Sequence, residues 1–160
     1  MAVTPTRELD FDEDDLDEIA AILADLDAGT TGAGSAWVNF VPEVEAGHEP
    51  PPRNPVVAIF SARGDAVPLA TWTTPANQGG RPNLGITHGS GPKALDRLER
   101  FGVPLEADWL KVADHPRRGL VVAAPRQVDH DHALWWLLTA THILSVVPLT
   151  GSWQARIYTP

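Results

Sequence analysis

A chain of 160 residues with 43% apolar side chains and six tryptophans has the material for one ordinary core, about 100–200 residues per domain being usual. It contains no cysteine, which excludes a disulfide framework, a thiolate nucleophile and Cys-ligated zinc. The net charge of −9 is confined to the first 27 residues, where ten carboxylates meet one arginine. The remainder balances at eleven against eleven and has no basic surplus to displace counterions from nucleic acid. No basic region followed by an apolar segment opens the chain, and its longest helical apolar run, Ala133 to Leu138, falls far short of the ~20 residues that span a bilayer. The expectation is a single cytoplasmic domain over residues 1–160, with no membrane and no nucleic-acid partner.

Residues 1–10 read as a disordered acidic leader. Leu16, Ile19, Ile22, Leu23 and Leu26 then recur at helical spacing, with carboxylates on the other face and Ala28-Gly29 as a stop. Such a helix packs at home, or else engages a basic surface on a protein partner. Residues 30–35 form a small-residue link, and Ala36 to Val41 reads as a strand. A proline-rich connector follows, containing Glu49-Pro50-Pro51-Pro52. Val56 to Phe60 and Val67 to Thr73 read as a hairpin around Ala62-Arg63-Gly64-Asp65. In a chain without cysteine or export signal, that Arg-Gly-Asp is turn chemistry. Pro75 to Pro82 is the loop richest in structure breakers.

Leu84 and Ile86 begin a strand that ends near His88. Gly89-Ser90-Gly91-Pro92 leads into a helix reaching about Phe101, with Leu95, Leu98 and Phe101 as its buried stripe. Trp109 to Pro125 reads as a hairpin. Its first strand alternates and carries Lys111, as a sheet edge does, and its second is the continuous apolar run Leu120 to Ala124. A helix capped by Asp129 runs to about Leu144, apolar almost all round its first turns. The strand Trp153 to Tyr158 follows, with Trp153, Ala155 and Ile157 facing in. The fold class expected is therefore α+β, an antiparallel sheet with helices on one face. Its C-terminal part has the ferredoxin-like order βαββαβ, and a helix and about three strands precede it.

The stretches Thr87 to Leu98, Ala113 to Val122 and Pro148 to Tyr158 (THGSGPKALDRL, ADHPRRGLVV, PLTGSWQARIY) resemble a family of small actinobacterial proteins without assigned activity. The resemblance extends over about residues 84–158 and implies no reaction. Ferredoxin-like domains host too many functions for the fold to choose one.

In that topology the loop after His88, the turn after Asp114 and the connection Ser145 to Ser152 fall at one end of the sheet. His88, Ser90, Gly91, Lys93, His115, Arg117 and Arg118 would then converge on a site for a small anionic ligand, because a glycine loop entering a helix presents free backbone N–H groups. The P-loop spacing is absent, and the dinucleotide fingerprint is met only in relaxed form, with Ala94 in place of its third glycine. No cofactor is therefore implied. Ser90 lacks the flanking glycines of a nucleophile elbow, since positions 88 and 92 hold His88 and Pro92.

Asp129-His130-Asp131-His132 mimics a metal cluster, but residues two apart on a helix point roughly 200° away from each other, so no metal site is expected there. His142 reads as a buried, hydrogen-bonded core histidine. Trp72, Trp135, Trp136 and Trp153 read as core filling, or as walls of an aromatic cleft. The function expected is a non-catalytic binding or interaction module. The alternative is a small enzyme acting on a phosphorylated or carboxylated metabolite at the 88–93 and 115–118 loops.

Overall fold

The structure, a computed structural model, describes residues 2–29, 34–52, 54–56 and 61–160. Seven strands form one sheet: β1 (Arg7–Asp12), β2 (Trp37–Val44), β3 (Leu69–Thr73), β4 (Asn83–Thr87), β5 (Leu110–His115), β6 (Gly119–Ala123) and β7 (Leu149–Tyr158). Among the described residues three helices accompany them: α1 (Asp17–Ala28), α2 (Ala94–Arg100) and α3 (His130–Leu144). Every neighbouring pair is antiparallel, in the order β1-β7-β2-β3-β4-β6-β5. The α+β class with an antiparallel sheet follows directly.

The period-2 alternation of the strands decides where the core sits. Val38 and Phe40 of β2, Ala70 and Trp72 of β3, Leu84 and Ile86 of β4, Leu120 and Val122 of β6, and Trp153, Ala155 and Ile157 of β7 are buried. They share one cluster with Ile19 and Leu23 of α1, Leu98 of α2, and Leu134, Leu137, Leu138 and Leu144 of α3. α3 lies over this face, between the other two helices. Its Trp136 packs edge-on to Trp109 at 5.1 Å and donates its indole N–H to the Pro104 carbonyl at 2.9 Å. The Asp129 carboxylate caps the helix by accepting the His132 N–H at 3.2 Å. At the hairpin tip Gly119 has φ +96°, and an added Cβ would stand 2.3 Å from the Ile86 carbonyl oxygen, so only glycine fits there.

The sheet departs from the expected topology in three places. Residues 7–10, read as part of a disordered leader, belong to β1, an edge strand paired along its length with β7 from Arg7↔Ile157 to Asp12↔Ser152. Its Leu9 and Phe11 pack against the core, and Phe11 meets Phe40 edge-to-face at 6.0 Å. The alternation of two apolar residues within an acidic run was the signal for a strand, and the charge masked it. β3 was expected to pair with Val56 to Phe60. Its two edges are instead taken by β2 and β4, and residues 57–60 lie outside the described ones.

Finally, the C-terminal part does not close as a ferredoxin-like unit. β4, β6 and β5 stand side by side as that pattern asks, but β2 and β3 separate β7 from β4. β2 pairs with both β7 and β3, and its inward Val38 and Phe40 are buried in the shared core.

Because Leu23 is 0% exposed beneath α1, Leu23→Ala is expected to cost about 2–5 kcal/mol, as other enclosed leucines do. Urea unfolding measures this. An unchanged midpoint and slope would mean that α1 is not docked in solution.

Candidate functional site

The loops singled out in the sequence do meet. Gly64 sits between them: its N–H donates to the Pro116 carbonyl at 3.1 Å, and a Cβ built on it would lie 2.3 Å from the His88 carbonyl oxygen and 3.4 Å from that of Arg117. Their polar groups, however, are spent on each other. Asp114, at the end of β5, accepts the Ala94 N–H on one carboxylate oxygen and the Leu95 N–H on the other, both at 3.1 Å. The first amides of α2, which would greet an external anion, therefore already hold an internal one. His115 uses Nδ1 to accept the N–H groups of Arg117 and Arg118 at 3.1 and 3.2 Å, which makes it the cap of its own turn. Gly91 is buried, while Lys93, Arg117 and Arg118 are exposed. Lys93 is held in the left-handed region at φ 60°.

His88 is 0% exposed. The Ser90 N–H donates to its Nδ1 at 3.3 Å, and Ser90 Oγ lies 2.8 Å from the same nitrogen. Nδ1 is therefore an acceptor and the ring proton sits on Nε2, which is enclosed without a partner. Burial pushes the His88 pKa below the ordinary 6.5. The Asp114 carboxylate opposes this shift and Arg97 reinforces it. A neutral ring bonded to a serine hydroxyl suggests a nucleophile pair, yet no carboxylate orients it, and the pair sits behind Gly64.

The histidines of α3 separate as the helical period requires. Each takes a carboxylate from a different element: His130 takes Asp27 at 2.7 Å, His132 takes Glu106 at 2.7 Å and His142 takes Glu13 at 2.6 Å. His142 is half-exposed, not buried as expected, because it lies at the rim of α3 where residues 12–16 cross. Among the described residues no three His, Asp or Glu side chains gather as metal ligands. Trp72, Trp136 and Trp153 fill the core as read, whereas Trp135 is exposed.

What the loop-centred reading missed is the other face of the sheet. Trp37, Val41, Val121 and Tyr158 belong neither to the core cluster nor to the side chains packed against it. Trp37 and Tyr158 are cross-strand partners whose rings stack at 4.9 Å and 8°. Beside them Arg156 Nε donates to Gln154 Oε1 at 2.7 Å and lies 3.4 Å from Glu8 Oε1. Across the next pairing the Thr71 hydroxyl donates to Asn39 Oδ1 at 2.9 Å. Trp37, Asn39, Thr71, Arg156 and Tyr158 are partly buried. The alternation marked Gln154, Arg156 and Tyr158 as outward, but only the β2–β7 register sets Trp37 against them.

Comparison with protein-family models, with curated proteins and with solved structures returned no match. Among the described residues no helix is long and apolar enough to cross a membrane.

Two outcomes are expected at the converging loops. Since the His88 pKa is depressed in the fold, the unfolded chain takes up a proton that the native ring refuses once pH falls below 6.5. Stability supplied by this group is complete above that value and declines under acid. Urea unfolding between about pH 7.5 and 5.5 should show a shallower loss in His88→Gln than in the wild type, and parallel curves would contradict the assignment. Phosphate, compared with salt at equal ionic strength, should shift the melting temperatures of wild type and Lys93→Ala equally. A shift lost in Lys93→Ala would restore an external anion site here.

Proposed function

We propose that the chain is a non-catalytic interaction module that meets a protein partner through the face of its sheet opposite α1, α2 and α3. One observation carries the reading. Trp37, Tyr158 and Arg156, the three residue types that dominate binding hot spots, form one contiguous group on a face whose outward Trp37, Val41, Val121 and Tyr158 no part of the described core covers. The ring stack and the Glu8–Arg156–Gln154 contacts hold these side chains before any partner arrives, so little rotamer entropy is lost on docking. Asn39, Thr71, Thr73 and Asn83 supply a polar surround, as the rim of an interface does.

The reading through a detachable acidic helix is less well supported, because α1 commits Ile19 and Leu23 to the core and could release them only by unfolding that edge. The reading as an enzyme on a phosphorylated or carboxylated metabolite at the 88–93 and 115–118 loops loses the backbone donors it needs to Asp114 and His115.

A photo-crosslinking residue placed at Thr71, on the open face, should capture a partner in cells, and one placed at the exposed Trp135 on the helical side should not. Trp37→Ala and Arg156→Ala should each weaken that capture, a hot-spot truncation costing about 2 kcal/mol or more. Capture from position 135 alone, or capture at 71 that is indifferent to both substitutions, overturns the reading.

A further inference from the structure

A second constellation lies on the helical side, apart from both the open face and the converging loops. Asp27, in the last turn of α1, reaches His130, the first residue of α3, with Oδ2 to Nε2 at 2.7 Å. Its other oxygen accepts the indole N–H of Trp72 at 3.1 Å. Trp72 is fully enclosed, and its ring lies 5.5 Å from the imidazole. α3 makes two other histidine–carboxylate pairs, but those are well exposed: His132 and Glu106 at 47% and 39%, His142 and Glu13 at 30% and 42%. The Asp27–His130 pair retains only 12% and 19% of its side-chain surface. Withdrawing such a pair from water gains little net stability, so strapping two helices together does not account for its burial. Burial pushes the Asp27 pKa up, against the hydrogen bonds and charge of His130 and the hydrogen bond from Trp72.

The pair lies at one wall of a cavity of about 470 Å³ bounded by the 75–80 loop, the end of α1 and the first turn of α3. Its remaining polar lining is Asn77, Gln78, Gln127 and Arg126. The Arg126 guanidinium stands 3.6 Å from the Cβ position of Gly79, at the loop wall, and has no ion-pair partner among the described residues. With Nε2 donating to Asp27, the hydrogen-bonding atom left to His130 is Nδ1. It makes no hydrogen bond and is not among the enclosed atoms without partners.

We propose that this cavity binds a small hydroxycarboxylate, its carboxylate on Arg126 and its hydroxyl donating to Nδ1 of His130, which Asp27 holds in the required tautomer. An uncharged donor fits better than an ammonium group, because both Asp27 oxygens are already taken by Trp72 and His130 and no anionic acceptor is left over. The single unpaired cation and the amide lining select a polar anion over an apolar ligand.

The test uses matched probes that differ by one hydroxyl, lactate against propionate and malate against succinate, titrated into the full chain at fixed ionic strength. The readout is the imidazole nitrogen resonances of His130. Lactate and malate should move Nδ1 saturably and bind about tenfold more tightly than propionate and succinate. Arg126→Gln should weaken all four by a similar factor. His130→Asn should remove the preference for the hydroxylated member of each pair while retaining the carboxylate affinity. If His130→Asn does not fold, the wild-type resonances still decide: an Nδ1 indifferent to all four probes refutes the site. Equal affinity within each pair refutes the role of His130, and binding untouched by Arg126→Gln refutes the role of Arg126. No outcome bears on the open face of the sheet.

Discussion

A seven-stranded sheet whose strands alternate apolar and polar residues has one face that must be hidden, and α3 hides it. Eight of its fifteen residues are buried, from Ala133 to Leu144, and it touches α1, α2, β3 and β4. α1 and α2 then need only cover its flanks. This is why a short helix such as α2, seven residues long, is stable in place although it would be far too short to persist alone. The opposite face, whose Trp37, Val41, Val121 and Tyr158 lie outside the core cluster, carries no such obligation.

The helices and the C-terminal strands were legible because their signals are local. The Asp129 cap, the stripe of α1, the lysine on an edge strand and the inward Trp153-Ala155-Ile157 all follow from period and position. What stayed hidden depends on which strand lies beside which. Trp37–Val44 and Leu69–Thr73 carry the same alternation as any other strands, and nothing in them states that they stand between β7 and β4. β1 was obscured for a different reason. Its outward Glu8 and Asp10 read as part of a loose acidic leader, when they lie with Asp12 on the wet side of an edge strand.

The same limit governs the sites. Sequence brought the glycine loop, the His115 turn and their cations to one end of the sheet, and they do lie together. It could not reveal that Asp114, from β5, would take the amides that made the loop attractive. A free donor in a sequence becomes a satisfied one in a fold whenever a carboxylate lands within reach. Conversely, Asp27 and His130 stand 103 positions apart, and only the packing of α1 against α3 brings them into contact.

The pairing of β1 with β7 also has a temporal consequence. Thr6 bonds to Ile157, 151 positions later, so β1 is synthesised well before the strand it pairs with. β1 waits for β7, and α1, with its apolar stripe, waits for α3. Contacts between such distant segments form slowly, and an exposed amphipathic segment is open to wrong associations in the interval. Ten carboxylates in the first 27 residues make that segment repel its own copies during the wait. In the folded protein part of that charge is claimed by His130, His142 and Arg156.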